Sequence, residues 1–365
     1  MNYIDWAVLF GTIVFIVSYG VWRTRGNRTV EGFLKGDNSM KWWMIGVSIM
    51  ATQASAITFL STPGQAIEDG MRFLQVYFGL PIAMVIISVT MVPIYYRLKV
   101  YTAYEYLETR FDLKTRSLAA LLFLMSRGLS AGITLFAPSL VLSTILVWSI
   151  TFTTLIIGIL VIIYVVSGGT KAVSLTQRQQ MTVIMSGMIL AGILALYMLP
   201  DHVSFRDTVQ IGGELGKLNL VNLEFDPNDR YNIWSGLIAG TFLSLSYFGT
   251  DQSQVARYLG GTSVTESRLG LMFNGLLKIP MQFIILFIGV LVYVFYLFNQ
   301  PPVFHNRVLK ERAMQTNSAP VLGSLQENYD VLYQEKRKAV DDLVQAIHDD
   351  NETSIEANSA AVKKI

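Results

Sequence analysis

Apolar residues dominate this chain in eight long runs, at approximately 4–22, 42–66, 73–96, 117–145, 148–166, 173–199, 231–257 and 268–298. Runs of about 18 or more mostly apolar residues can cross roughly 30 Å of hydrocarbon as helices. Two of the eight are interrupted by polar positions. In "ATQASAITFLSTPGQ", Ser48, Thr52, Ser55 and Thr62 fall on one helical face, with Gln53 and Thr58 flanking it and Pro63-Gly64 following. In "SGLIAGTFLSLSYFGTDQSQVARYL", Ser244, Ser246, Tyr247, Gly249, Thr250 and Asp251 break the apolar pattern. The pattern predicts that the first helix unwinds near Ser55–Gly64 and that the second bends near Ser244–Gly249. After Asn299 the chain turns polar. Leu325, Leu332, Ala339, Leu343 and Ile347 then recur at roughly helical spacing, which predicts an amphipathic surface helix within a 299–365 tail.

Composition supports the membrane reading. The chain is 52% hydrophobic and 15% charged, with a mean hydropathy of +0.44, whereas soluble domains carry about 25% charged residues. The first run lacks a basic leader and a small-residue cleavage site and carries Asp5, so it reads as a retained span, not a signal peptide. With no cysteine, disulfides and thiolate chemistry are excluded. His202, His305 and His348 form no cluster in sequence, and there is no phosphate-binding glycine loop. A net charge of +2 implies no nucleic-acid partner.

Basic residues set the expected orientation. With the N-terminus outside, inner loops hold Arg23, Arg25, Arg28, Lys35, Lys41, Arg97, Lys99, Arg110, Lys114, Arg116, Lys171, Arg178, Arg257 and Arg268. Outer loops hold only Arg72, Arg206, Lys217 and Arg230. The tail is then also extracytoplasmic, and the acidic 200–230 segment reads as a solvated outer cap.

Hydroxyls in a membrane helix have two readings: close helix packing with back-bonding to carbonyls, or a ligand site. The proline favours the second, because irregular backbone at membrane depth is tolerated where it is buried in protein or lines a wet cavity. Interrupted helices coordinate sodium and solutes in this way. For Asp251 and Gln252 a position at the inner interface is an equal alternative, whereas Ser244 and Tyr247 lie deeper. Arg127, in "FLMSRGLSAGI", and Lys278, in "NGLLKIPMQF", are about ten residues into their spans. Each faces a cavity or a partner, or snorkels to the interface.

At these positions the chain resembles the sodium:solute symporter family. "GVSIMATQASAITFLSTPGQAIEDGMRF" resembles its first core helix, closest to the branch with the iodide, monocarboxylate and multivitamin carriers. "PIYYRLKVYTAYEYLETRF", "LFAPSLVL", "YVVSGGTKAVSLTQRQQ" and "YFGTDQSQVARYL" match further family segments in the same order. The resemblance implies an all-α polytopic membrane protein with a five-plus-five inverted-repeat fold after one extra N-terminal helix. It implies seven of ten core helices within residues 1–298, so the chain reads as a truncated form, with further sodium ligands expected beyond residue 365. It implies Na+ as coupling ion, bound by the backbone carbonyls of Ala51 and Ala54, and no organic cofactor.

The solute cavity it implies involves Gln53, Ser55, Thr58, Tyr77, Arg127, Ser244, Tyr247 and Lys278. Gln177 stands where the family motif has aspartate, which leaves the coupling details open. Thr58, Tyr77 and Ser244 lack the amide and acid groups of the sugar-carrying members, and Lys278 matches a family lysine. The expected function is therefore sodium-driven import of a small organic solute across the cell membrane, with Arg127 and Lys278 favouring an anion. The alternatives are a transporter-like membrane sensor, a sodium-coupled sugar carrier and a passive channel or bundle; no enzymatic activity is expected.

Overall fold

The computed structural model describes residues 3–24, 40–55, 57–100, 102–146, 148–304, 307–316 and 319–365. Arg25, Arg28, Lys35 and His305 lie outside the described residues, as do the side chains of Asp5, Arg23, Lys171 and Arg178. Helices make up the described chain, which contains no strand beyond one bridge between Met40 and Gly261. In order, α1 (Tyr3–Thr24) and α2 (Trp42–Gln53) precede a π-helical turn at Ile57–Ser61, then α3 (Thr62–Asp69) and a 3-10 stretch at Gly70–Tyr77. There follow α4 (Leu80–Val89), α5 (Met91–Leu98), α6 (Glu105–Arg110), α7 (Leu113–Leu146), α8 (Ile150–Tyr197) and α9 (Phe205–Glu214). A second π-helical turn, Ser235–Ala239, leads into α10 (Gly240–Gly249), α11 (Gln252–Leu259) and α12 (Val264–Phe298). The last three are α13 (Arg307–Met314), α14 (Ala319–His348) and α15 (Glu352–Lys364).

Four described helical stretches are long and apolar enough to cross a membrane: Thr58–Leu98, Leu113–Leu146, Gln179–Tyr197 and Val264–Phe298. Along α7 only Ser139 is fully buried, while Leu118, Leu121, Leu129 and Ile133 are exposed, as side chains facing hydrocarbon would be.

Two expectations need correction. The runs at 148–166 and 173–199 are not separated by a loop; they lie in the single helix α8 of 48 residues, about 72 Å long. Between Val166 and Val173 only the Gly168-Gly169 pair opposes helix, and no proline stops it. The first interruption lies where it is expected, near Ser55–Gly64: α2 ends at Gln53, Ala54 and Ser55 are non-helical, and the π-helical turn Ile57–Ser61 follows before α3. Pro63 occupies the first turn of α3, where its missing N–H costs nothing. The second interruption falls at Thr250–Asp251, because α10 continues to Gly249 and Asp251 caps α11 by accepting from the Ser253 N–H at 2.9 Å.

The residues group into two compact units. The first comprises 1–59, 75–185 and 223–282. Its core holds Ile45 and Ile49 of α2, Met84 and Ile87 of α4, and Tyr258 and Leu271. The 75–79 backbone lies directly on the 236–241 backbone. A Cβ at Gly236 would collide with the Gln75 carbonyl, and one at Gly79 with the Thr241 backbone. The α10–α11 break is held by tyrosines: Tyr95 donates to the Gly249 carbonyl at 2.8 Å and Tyr258 to that of Phe248 at 3.1 Å.

The second unit comprises 60–74, 186–222 and 283–365. Here Leu343, Val344 and Ile347 of α14 pack with Ile211, Leu215, Val294 and Phe298. The expected amphipathic helix is present as α14, with Leu325 and Leu332 exposed. The 200–230 segment is more ordered than a loop, since Ser204 and Asp207 close a capping box on α9.

Candidate functional site

Where α2 stops, its last carbonyls lose their helical donors. The Ala54 N–H turns back to the carbonyls of Met50 and Ala51, both at 3.1 Å. The Gln53 carbonyl takes the Thr58 hydroxyl at 2.9 Å in place of a backbone N–H. Ser55 accepts from the Phe59 N–H at 3.3 Å. Ala51, Ala54 and Ser55 are half-buried. A helix C-terminus carries partial negative charge, so these carbonyls offer the hard oxygen donors that a small monovalent cation needs.

The opposing wall is α12. Its buried Asn274 accepts from Gln53 Nε2 at 3.3 Å, joining α12 to the end of α2. One turn on, Lys278 is 1% exposed, with its Nζ 5.6 Å from the centre of the Tyr77 ring. Among the described residues no carboxylate lies within ion-pairing distance of that ammonium. A buried charge without a counter-ion is costly, and an aromatic face compensates only in part. Pro280, inside the same helix, leaves the Leu276 carbonyl without its helical donor. Tyr77 is positioned by the close packing of 75–79 on 236–241 described above.

Arg127 has a different setting. Its guanidinium donates to the Asp251 carboxylate and lies 5.5 Å from the centre of the Tyr247 ring, while Gln254 donates to the Tyr247 hydroxyl at 2.8 Å. This group ties α7 to the α10–α11 break and borders a cavity of about 790 Å³ lined by Ser126, Tyr104, Tyr247 and Asp251. Its charge is therefore already matched, unlike that of Lys278.

A third group surrounds Gln177 on α8. Ser48 donates to its Oε1 and its Nε2 donates to Thr52, each at 3.3 Å, while Thr52 also bonds back to the Ser48 carbonyl at 2.7 Å. The neutral amide thus serves as acceptor and donor at once, which an aspartate would not.

Of the residues singled out in the sequence, the structure brings Gln53 and Thr58 together, Tyr77 with Lys278, and Arg127 with Tyr247. Ser55 and Ser244 are half-buried and join none of these groups through their side chains among the described residues. Sequence reasoning passed over Asn274 and Gln282, although amides at four-residue spacing from Lys278 inside an apolar run were the available signal.

The profile of the sodium:solute symporter family matches residues 33–322. The chain is 30% identical to the human sodium/iodide cotransporter over 275 residues, covering 74% of this chain and 42% of that protein. It is 29% identical to mouse sodium-coupled monocarboxylate transporter 2, covering 74% and 44%. It thus spans less than half the length of these relatives. A solved substrate-bound, outward-open Na+-coupled sialic acid symporter superposes with a TM-score of 0.75 at 26% identity, covering 83% of this chain and 64% of that one. With four-fifths of its length matched in sequence by the family profile, this all-helical chain belongs to the sodium:solute symporter family.

Proposed function

We propose that this protein is a sodium-coupled symporter that imports a small anionic organic solute by alternating access. One observation carries the reading: a buried ammonium without a carboxylate, Lys278, on a helix hydrogen-bonded to an interrupted one. Sodium sits on the carbonyls of Ala51 and Ala54, at the negative end of α2. The solute sits beside Tyr77 and Lys278, near Gln53 and Thr58, with its carboxylate replacing the missing counter-ion. Ser55, Ser244 and Tyr247 line the path, and Arg127, neutralised by Asp251, holds the α10–α11 break. Two relatives support an anion, since iodide and monocarboxylates both carry negative charge.

The fold is a five-plus-five inverted repeat preceded by α1. It spans the cell membrane several times with the N-terminus extracytoplasmic, and the 299–365 tail is extracytoplasmic provided that residues 150–197, one continuous helix here, part near Gly168-Gly169 and cross twice. The test is uptake of a panel of carboxylates, sugars and amino acids with and without an inward sodium gradient. Carboxylate uptake that needs the gradient is expected; sodium-dependent uptake confined to sugars or amino acids overturns the anion assignment.

A further inference from the structure

Asn274, Lys278 and Gln282 recur at i, i+4 and i+8 along α12, each at most 1% exposed. That spacing puts them in one row on one face. Asn274 is engaged by Gln53. Gln282 differs: among the described residues neither its Nε2 nor its Oε1 has a hydrogen-bond partner. Buried polar side chains are nearly always paired, so an amide orphaned at both ends calls for an explanation. Its neighbour one turn earlier is the buried ammonium that also lacks an anion. The two unmet demands are adjacent.

We infer that Gln282 is a specificity-determining residue of the solute site, reading a second polar group on a carboxylate whose charge faces Lys278. This inference rests on the solute site proposed above. An amide presents one acceptor and two N–H donors. The group that meets it must both donate and accept, as a hydroxyl or carboxamide does and a methyl, ether or second carboxylate does not. A cation at Oε1 is disfavoured by the neighbouring ammonium. Side chains one turn apart start about 5–6 Å from each other, which sets the scale of separation between the two polar groups of the solute. The substrate class is therefore a short hydroxylated or amidated monocarboxylate.

Radiolabelled butanoate, 3-hydroxybutanoate and 4-hydroxybutanoate, offered to the full protein under a sodium gradient, test this. The wild type is expected to take up at least one hydroxy acid about tenfold more efficiently than butanoate, the scale of one well-made hydrogen bond in a buried site. Gln282→Met, similar in size but apolar, removes that preference, the ratio of hydroxy-acid to butanoate uptake falling to about one. Lys278→Met lowers all three acids together.

If the wild type prefers butanoate, the inference is overturned by a comparison that needs no variant to fold. If Gln282→Met lowers all three acids by one factor, the amide supports structure only and the inference fails, while the reading of Lys278 stands. If the wild type takes up none of the acids but does take up another solute class with sodium, the carboxylate site falls and this inference falls with it.

Discussion

Lys278 and Arg127 are both basic residues in apolar helices, and their surroundings separate them. Arg127 has Asp251 and the Tyr247 ring, whereas Lys278 has the Tyr77 ring and no carboxylate among the described residues. Lys278→Met keeps the stem volume and deletes the charge. Solute affinity should fall by about one to two decades, the equivalent of roughly 1.5–3 kcal/mol for a charge-assisted contact, with insertion into the membrane unchanged. Unchanged uptake would make Lys278 a packing residue. For Arg127 the expected defect is structural: Arg127→Met and Asp251→Asn should each lower the amount of folded protein, and the double variant should lose less than the sum. Additive losses would mean that the pair does not couple α7 to the break.

At the scale of elements, close backbone packing places Tyr77 on the Lys278 side of the unit. Gly236 meets the Gln75 carbonyl with no room for a Cβ. Gly236→Val should push the 75–79 stretch away, reducing both folded yield and solute affinity; an effect on neither would show that the packing has slack. The sequence made the existence of two interrupted helices legible, because hydroxyls and glycines stood out against apolar runs. It located the first break, at Ser55, and set the second one residue short of Thr250–Asp251. Pro63 reads as a breaker only when its position in the helix is unknown, and in a first turn it is harmless. The second break depends on distant tyrosines, Tyr95 and Tyr258, supplying donors to the carbonyls of Gly249 and Phe248, and no local pattern records that. Thr58 was likewise legible as polar, but not its bond to the Gln53 carbonyl. The row from Asn274 to Gln282 was readable by spacing, yet which of its amides lacked a partner required the folded chain.

At the scale of the molecule, the proposed orientation depends on α8. If residues 150–197 cross the bilayer twice, reversing near Gly168-Gly169, then Arg110 and the 299–365 tail lie on opposite sides. Cysteines introduced at Arg110 and at the exposed Glu327 of this cysteine-free chain should then be labelled from opposite faces; labelling from one face would show that α8 crosses once. The 200–222 segment and the tail should also share a pH dependence. Burial raises the Asp207 carboxyl, but hydrogen bonds from Ser204 and His348 outweigh it and hold its pKa below the ordinary value. A depressed folded pKa adds stability above the unfolded value, near 4, and that stability is lost as pH falls through the folded one. Protection against hydrogen exchange around α9 should therefore fall below about pH 4, and Asp207→Asn should cost about 0.5–1 kcal/mol at neutral pH through the loss of a negative charge in the first turn of α9. Coupling between a cation at the end of α2 and a solute beside Lys278, as proposed, is measured by equilibrium binding of a radiolabelled carboxylate solute to the purified full protein, titrated with Na+ and, separately, with K+. Affinity should rise about fivefold or more with Na+ and not with K+, within the usual range of coupling between sites; an affinity indifferent to Na+ would contradict the account.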